Sequence, residues 1–293
     1  RKKAHFVSCR TEHKSILGTL DALSSEGHAT SYLPVDEEGL IDLDALSNAI
    51  RPETILVSIM AANGEIGVLQ PMEEISALCK SRGIPLHTDA AQAFGKIDMT
   101  QIASCVDLIS LSAHKIYGPK GVGALYINPM IRTQMRPIVT GAGQQQGLRA
   151  GTLPTPLIVG FGAAAELATA ERVEEMARIG ALRDLLLELL ERDIGPVHVN
   201  GSRHMRLTGN LNLQIPGVDA DSLLLMVPDL AISTGSACAS GALGPSDVLL
   251  ALGLSQEEAS QSLRLGLGRM TTRLEVDAAV CQLCAGVRAL RDS

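Results

Sequence analysis

Lys115 lies in LSAHKIYGPKG (residues 111–121), directly after the apolar run VDLISLS, so its side chain starts where a buried strand gives way to a loop. An ammonium held there can be desolvated, which lowers its pKa and frees the amine to attack an aldehyde. Lys120, in a Gly-Pro-Lys-Gly turn, reads as an ordinary surface lysine. Two other segments, SIMAANGEIG and LHTDAAQAFGK, also end in polar groups where a strand runs out. Asp89 stands at such an end, beside Lys115, where its carboxylate can pair with a cationic ring nitrogen or serve as N-cap for AAQAF. Gln92 follows within one helical turn and can offer its amide to a ring oxygen. Ser112 and His114 flank the lysine and can donate to a phosphate, although a buried serine more often bonds to backbone. His13, in CRTEHKS, follows another apolar strand and can stack on a planar ring. Each residue alone has an ordinary structural explanation. As a set, an amine for an aldehyde, a carboxylate for a pyridinium and donors for a phosphate describe pyridoxal 5′-phosphate.

A sheet has to hold these groups along one edge. From residue 54 the pattern runs TILVSIM, then QPMEEISALCKSRG with Pro71 at a helix start, then IPLHTDAA, which is a βαβ unit. VDLISLS and GVGALYI add strands, as does HFVSC near the start. The expected fold is α/β, with a mostly parallel sheet, helices on both faces and ligands at the strands' carboxyl ends. Residues 1–153 form the large domain on this reading. Residues 154–293 supply a long linking helix, broadly 156–192, and a smaller C-terminal α+β domain.

The 293 residues are 46% hydrophobic but only 2% aromatic, so the core must be built from Leu, Val, Ile and Ala. A net charge of −7 without a basic stripe argues against a nucleic-acid partner. No apolar run reaches the ~18 residues of a membrane span, and no signal-peptide core follows the basic start, so a cytoplasmic protein is expected. The six cysteines, at 9, 79, 105, 238, 281 and 284, lack the spacing of a disulfide framework and are expected reduced. Cys281 and Cys284 have C-x-x-C spacing, but they fall in a helical pattern with no further ligands nearby. They are expected to face the core, and no metal site is expected.

TEHKSIL, NGEIGVLQP, HTDAAQAFGK, SAHKIYGPKGVGALY, GLRAGTLPT, STGSACASGALGPSDVLLALG and LRLGLGRMTT occur in an order and spacing that resemble the cysteine desulfurases. These are class V aminotransferase-like, fold-type-I pyridoxal-phosphate enzymes, and the likeness runs over essentially the whole chain. The long segment GSACASGALGPS resembles the iron-sulfur-assembly group. The resemblance implies a homodimer that converts L-cysteine to L-alanine and passes sulfur to an acceptor or scaffold protein. It implies Lys115 as the Schiff-base lysine, Asp89 on the pyridine nitrogen and His13 stacked over the ring, moving protons. It implies Gln92 and Asn63 at the ring oxygen and the substrate side, with phosphate on Ser112, His114 and, from the neighbouring subunit, Thr152. Arg264 would hold the substrate carboxylate with its planar fork. Cys238 would take the sulfur as a persulfide. Its Gly/Ser/Ala-rich surroundings offer little to pack against, which suits a nucleophile better than a buried apolar residue.

Gly266 stands where relatives usually have serine, and Gly64 where many have a second asparagine. The family's upstream phosphate-binding segment, a Gly-Ala-Thr stretch at a helix start, is not found before the first strand, so an incomplete phosphate cradle and weak cofactor binding are expected. A selenocysteine lyase uses the same ring chemistry and stays open, as does a non-catalytic chain kept for dimerisation or docking.

Overall fold

The computed structural model describes residues 3–234 and 244–292. Its first half is a six-stranded sheet of β1 (His5–Cys9), β2 (Ala29–Leu33), β3 (Thr54–Ser58), β4 (Leu86–Asp89), β5 (Leu108–Ser112) and β6 (Gly123–Ile127). The strand order is β2-β1-β3-β4-β5-β6, and every pairing is parallel except β5 with β6. The helices of this half are α1 (Lys14–Ser25), α2 (Leu43–Ala49), α3 (Met72–Ser81) and α4 (Met99–Cys105). In α3 the buried residues Met72, Ile75, Ser76 and Cys79 recur at helical spacing. Pro71 precedes its first turn, Glu73 and Glu74 lie near the positive end of its dipole, and Lys80 lies near the negative end.

The period of two along each strand separates the sheet into unlike faces. Val7, Val57, Leu86 and Ile109 point into one apolar core with Leu46 of α2, Ile75 of α3 and Ile102 of α4. Their strand neighbours Ser58, His87 and Ser110 therefore share the opposite face, where His87 bonds Ser58 at 2.8 Å through Nδ1 and Ser110 at 2.9 Å through Nε2. Asp89 and Ser112, each two residues further along its strand, belong to this polar face. Strand periodicity therefore aligns the candidate residues.

The second half begins with α5 (Thr155–Ile194). Its buried Ala164 and Ala168 pack against Ile116 beside the first sheet, and its far end, Leu186, Leu190 and Ile194, enters a second core. That core covers a four-stranded antiparallel sheet of order β7-β8-β10-β9, formed by β7 (His198–Val199), β8 (Asn210–Gln214), β9 (Ser233–Thr234) and β10 (Ser262–Gly266). With them run α6 (Ala220–Met226), α7 (Asp247–Ala251), α8 (Gln256–Ser260) and α9 (Arg273–Arg291). A capping box between Thr272 and Glu275 starts α9, and Val276, Val280, Leu283, Cys284 and Val287 form its buried stripe.

Hydrogen bonds stitch the halves together: Leu69 N–H to Met205 O, Leu207 N–H to Gly67 O, and the amides of Asn210 and Asn212 to Glu65 O. Gly67 sits at φ +76, where a Cβ would stand 2.6 Å from Asn210, so both conformation and space demand glycine there.

Two expectations change. Cys284 is buried but Cys281 is exposed, because residues three apart on a helix diverge by about 60° and the apolar stripe includes only one of them. Residues 91–96 form turns rather than a regular helix, so Asp89 caps a turn, its Oδ1 accepting the Ala91 N–H at 2.9 Å.

Candidate active site

The candidate residues of the first half gather where the parallel strands end. Beyond β1 come Glu12 and His13, the latter being the N-cap of α1; its Nδ1 accepts the Ser15 N–H at 3.2 Å and lies 2.7 Å from the Ser15 hydroxyl. Beyond β3 comes Asn63, which is buried. Asp89 closes β4, locked by its carbonyl to Ala61 N–H, while the Ala90 N–H donates to Ser110 O. Ser112 closes β5, and its hydroxyl lies 2.9 Å from His114 Nδ1. Lys115 follows in a 3-10 turn, Ala113–Ile116, and is exposed in the isolated chain rather than desolvated, because the turn carries it beyond the strand's end.

That turn is fastened to the second half. Tyr117 ends it in the left-handed conformation, φ 66. The Tyr117 hydroxyl accepts the Arg269 N–H at 2.7 Å, and the Arg269 guanidinium lies 5.0 Å from the ring centroid. Glu175 of α5 holds Arg269 at 2.8 Å. Arg264 of β10 comes to the same place, its Nη1 donating to Gly64 O at 3.4 Å.

Between these parts is a cavity of about 240 Å³ whose wall includes Gln92, Lys96, Lys115, Tyr117, Arg264 and Arg269. It thus unites three predicted residues, Gln92, Lys115 and Arg264, from two sheets. Asp89, Ser112, His114 and His13 lie at the sheet edge but not on the cavity wall. Asn63 is turned to other work: its Nδ2 donates to Thr11 O at 2.8 Å, and its Oδ1 accepts from Glu65 and Ile66 N–H. Thr152 is exposed just before α5. Cys238 lies outside the described residues. At the two glycines set apart from relatives, a Cβ on Gly266 would meet nothing within 4 Å among the described residues, whereas one on Gly64 would press on the Gln92 amide.

Three acidic or basic groups went unread in the sequence. Burial pushes the Lys96 ammonium down to about 8, with the charge of Lys115 adding to the effect. Its only sequence signal was the four-residue spacing from Gln92. Burial pushes the Glu65 carboxyl up, opposed by the Ser246 hydroxyl and by the charge of Arg264. Glu12 is 4% exposed; its Oε1 accepts the Met60 N–H, and its Oε2 has no partner among the described residues. Burial pushes this carboxyl up to about 8, the nearby Asp89 reinforcing the rise and the Met60 N–H opposing it.

Glu12 therefore carries a pH signature. The folded chain keeps a proton that the unfolded chain, at 4.5, gives up, so this stability is fully present below pH 4.5 and lost as the pH rises to about 8. Glu12→Gln retains an acceptor for Met60 and cannot ionise. In cofactor-free protein it is expected to raise the unfolding free energy by ~2–4 kcal/mol above pH 8 and to bring no such gain below pH 4.5. Urea unfolding at the two pH extremes checks this; an equal gain at both would assign the effect to packing.

The family model described as aminotransferase class-V matches residues 1–279. The cysteine desulfurase IscS of Rickettsia bellii (strain OSU 85-389) is 45% identical over 291 residues, which cover 99% of this chain and 71% of the relative. Among solved structures, a NifS-like protein superposes with a TM-score of 0.87 at 32% identity, covering 97% of this chain and 75% of that one. The NifS-like protein from Rickettsia africae ESF-5 gives a TM-score of 0.84 at 28% identity, covering 99% and 76%.

Proposed function

Because the chain belongs to the aminotransferase class-V family and is a cysteine desulfurase, we propose that pyridoxal phosphate, the cofactor such enzymes use, seats at the carboxyl edge of the six-stranded sheet around Lys115. The meeting of Gln92, Lys115 and Arg264 in one cavity carries this reading. The donor set suits the group: an amine for its aldehyde, the Asp89 carboxylate for its ring nitrogen, and Ser112 with His114 for its phosphate. Buried oxygens of Ser8 and Glu12 near the end of β1 also lack partners among the described residues, which supports polar capacity on that side of the sheet.

When bound, the cofactor supplies an electron sink for negative charge at the substrate's α carbon. The chain's residues do the rest. Lys115 would hold the cofactor's aldehyde carbon, and its amine, when free, would be the base that moves the substrate's α proton. Asp89 keeps the ring nitrogen protonated, and Gln92 donates to the ring oxygen. His13, at the start of α1, stacks on the ring and carries protons. Arg264 orients the substrate carboxylate with two parallel N–H donors. Asn63 holds the loop that carries Gly64, since its amide is already engaged. The Cys238 thiolate attacks the substrate sulfur; the carbon–sulfur bond breaks with its electrons remaining on carbon, which takes a proton to become alanine, and Cys238 keeps the persulfide.

A sulfur-acceptor or scaffold protein for iron-sulfur assembly then receives the sulfur. Residues 1–153 act on this reading as the cofactor domain and 154–293 as the smaller domain closing over it, in a cytoplasmic homodimer. Among the described residues no helix is long and apolar enough to cross a membrane. Exposed Ile138, Val139, Leu153 and Val159 surround Thr152 in sequence and support its delivery to a partner's phosphate site.

Cofactor-loaded protein given L-cysteine and a thiol reductant is expected to form alanine and sulfide in equal amounts. Cofactor uptake without any alanine would overturn the reading.

A further inference from the structure

The side-chain amide of Gln92 has two ends of nearly equal size and opposite polarity, and the end that faces the cavity decides what it does there. Lys96 Nζ lies 2.8 Å from Gln92 Oε1. An ammonium has three N–H donors and no acceptor, so only the oxygen end of the amide can face it. The amide nitrogen is thereby turned toward Gly64, where a Cβ would stand 3.0 Å from Nε2. Gly64, Gln92 and Lys96 share the cavity wall with Lys115 and Arg264.

We propose that Lys96 is a positioning residue: it holds Gln92 in the one orientation that presents N–H donors to an anionic oxygen of a ligand seated at Lys115, and Gly64 leaves that donor end room. A neutral partner at position 96, able to accept as well as donate, would tolerate both orientations. The wrong one would set a carbonyl oxygen against the ligand's oxygen. Lys96 has no carboxylate within ion-pair distance among the described residues, so its charge is directed at a neutral amide. A partly buried cation without a counterion lowers stability, as its depressed pKa reflects. A glutamine–lysine contact made only to support a turn would not call for that.

The inference rests on the pyridoxal-phosphate reading, and the experiment separates the two. Lys96→Met, Lys96→Arg, Lys96→Gln, Gln92→Ala and the Lys96→Met/Gln92→Ala double variant are compared in cofactor affinity and in the visible band of the loaded protein. Lys96→Met is expected to weaken cofactor binding about tenfold and to shift the band, as loss of one charge-assisted contact would. Arginine, which also only donates, restores both, whereas glutamine does not. In the Gln92→Ala background Lys96→Met has no further effect, because Lys96 acts through Gln92. Unchanged affinity and band in Lys96→Met, full rescue by glutamine, or additive losses in the double variant would each overturn the proposal. If wild-type protein takes up no cofactor, the functional reading fails instead. The Gln92 side-chain amide NMR signal of cofactor-free protein then judges Lys96 alone: one ordered signal that broadens in Lys96→Met supports the lock, and an unaltered signal overturns it.

Discussion

Lys115→Ala is expected to remove the visible band of bound pyridoxal phosphate and to lower cysteine turnover by ~10³-fold or more, the scale on which an acting nucleophile is felt in kcat. The 3-10 turn puts this amine beyond the end of β5, in the cavity wall with Gln92 and Arg264. Lys120, five residues on, is exposed and not part of that wall. Lys96 is the real competitor, since it shares the cavity and burial pushes its pKa down to about 8, leaving part of it unprotonated near neutral pH. Its Nζ is engaged by Gln92, however, whereas the Lys115 ammonium has no partner in an ion pair or side-chain hydrogen bond among the described residues. Borohydride reduction of the loaded protein, digestion and peptide mapping will identify the tagged lysine. A tag on Lys96 or Lys120 would reassign the role.

Cys238→Ser should leave the cofactor band and cysteine binding in place while sulfide release stops. A serine hydroxyl is not ionised at neutral pH and is a far weaker acceptor for sulfur than a thiolate. The other cysteines divide by environment. Burial pushes Cys9 and Cys79 up to about 12, which makes both poor nucleophiles. Cys281 is exposed but belongs to α9, packed at the second core. Full sulfide release by Cys238→Ser would exclude Cys238 as the sulfur carrier, and mass spectrometry of the enzyme after cysteine treatment would then show which thiol gained a sulfur.

Much of this site was legible in the sequence because its parts are local. A strand's period of two and a helix's period of 3.6 depend on neighbouring residues, so VDLISLS, IPLHTD and EISALCK announced their elements and the polar groups that follow them. Parallel strands joined by helices run in one direction, so the residues after β1, β3, β4 and β5 had to share an edge. The ordered motifs added the family. Local pattern could not say which side chains meet across the chain, because such contacts depend on how two layers dock. The tertiary structure alone brought Arg264 to Gly64, set Arg269 over Tyr117, committed the Asn63 amide to its own loop and exposed Cys281 while burying Cys284. It also closed the cavity that desolvates Lys96, and turned an unremarkable lysine into the residue that orients Gln92. Docking removes water from some groups and leaves it on others, and that difference is a property of the packed layers rather than of any segment within them.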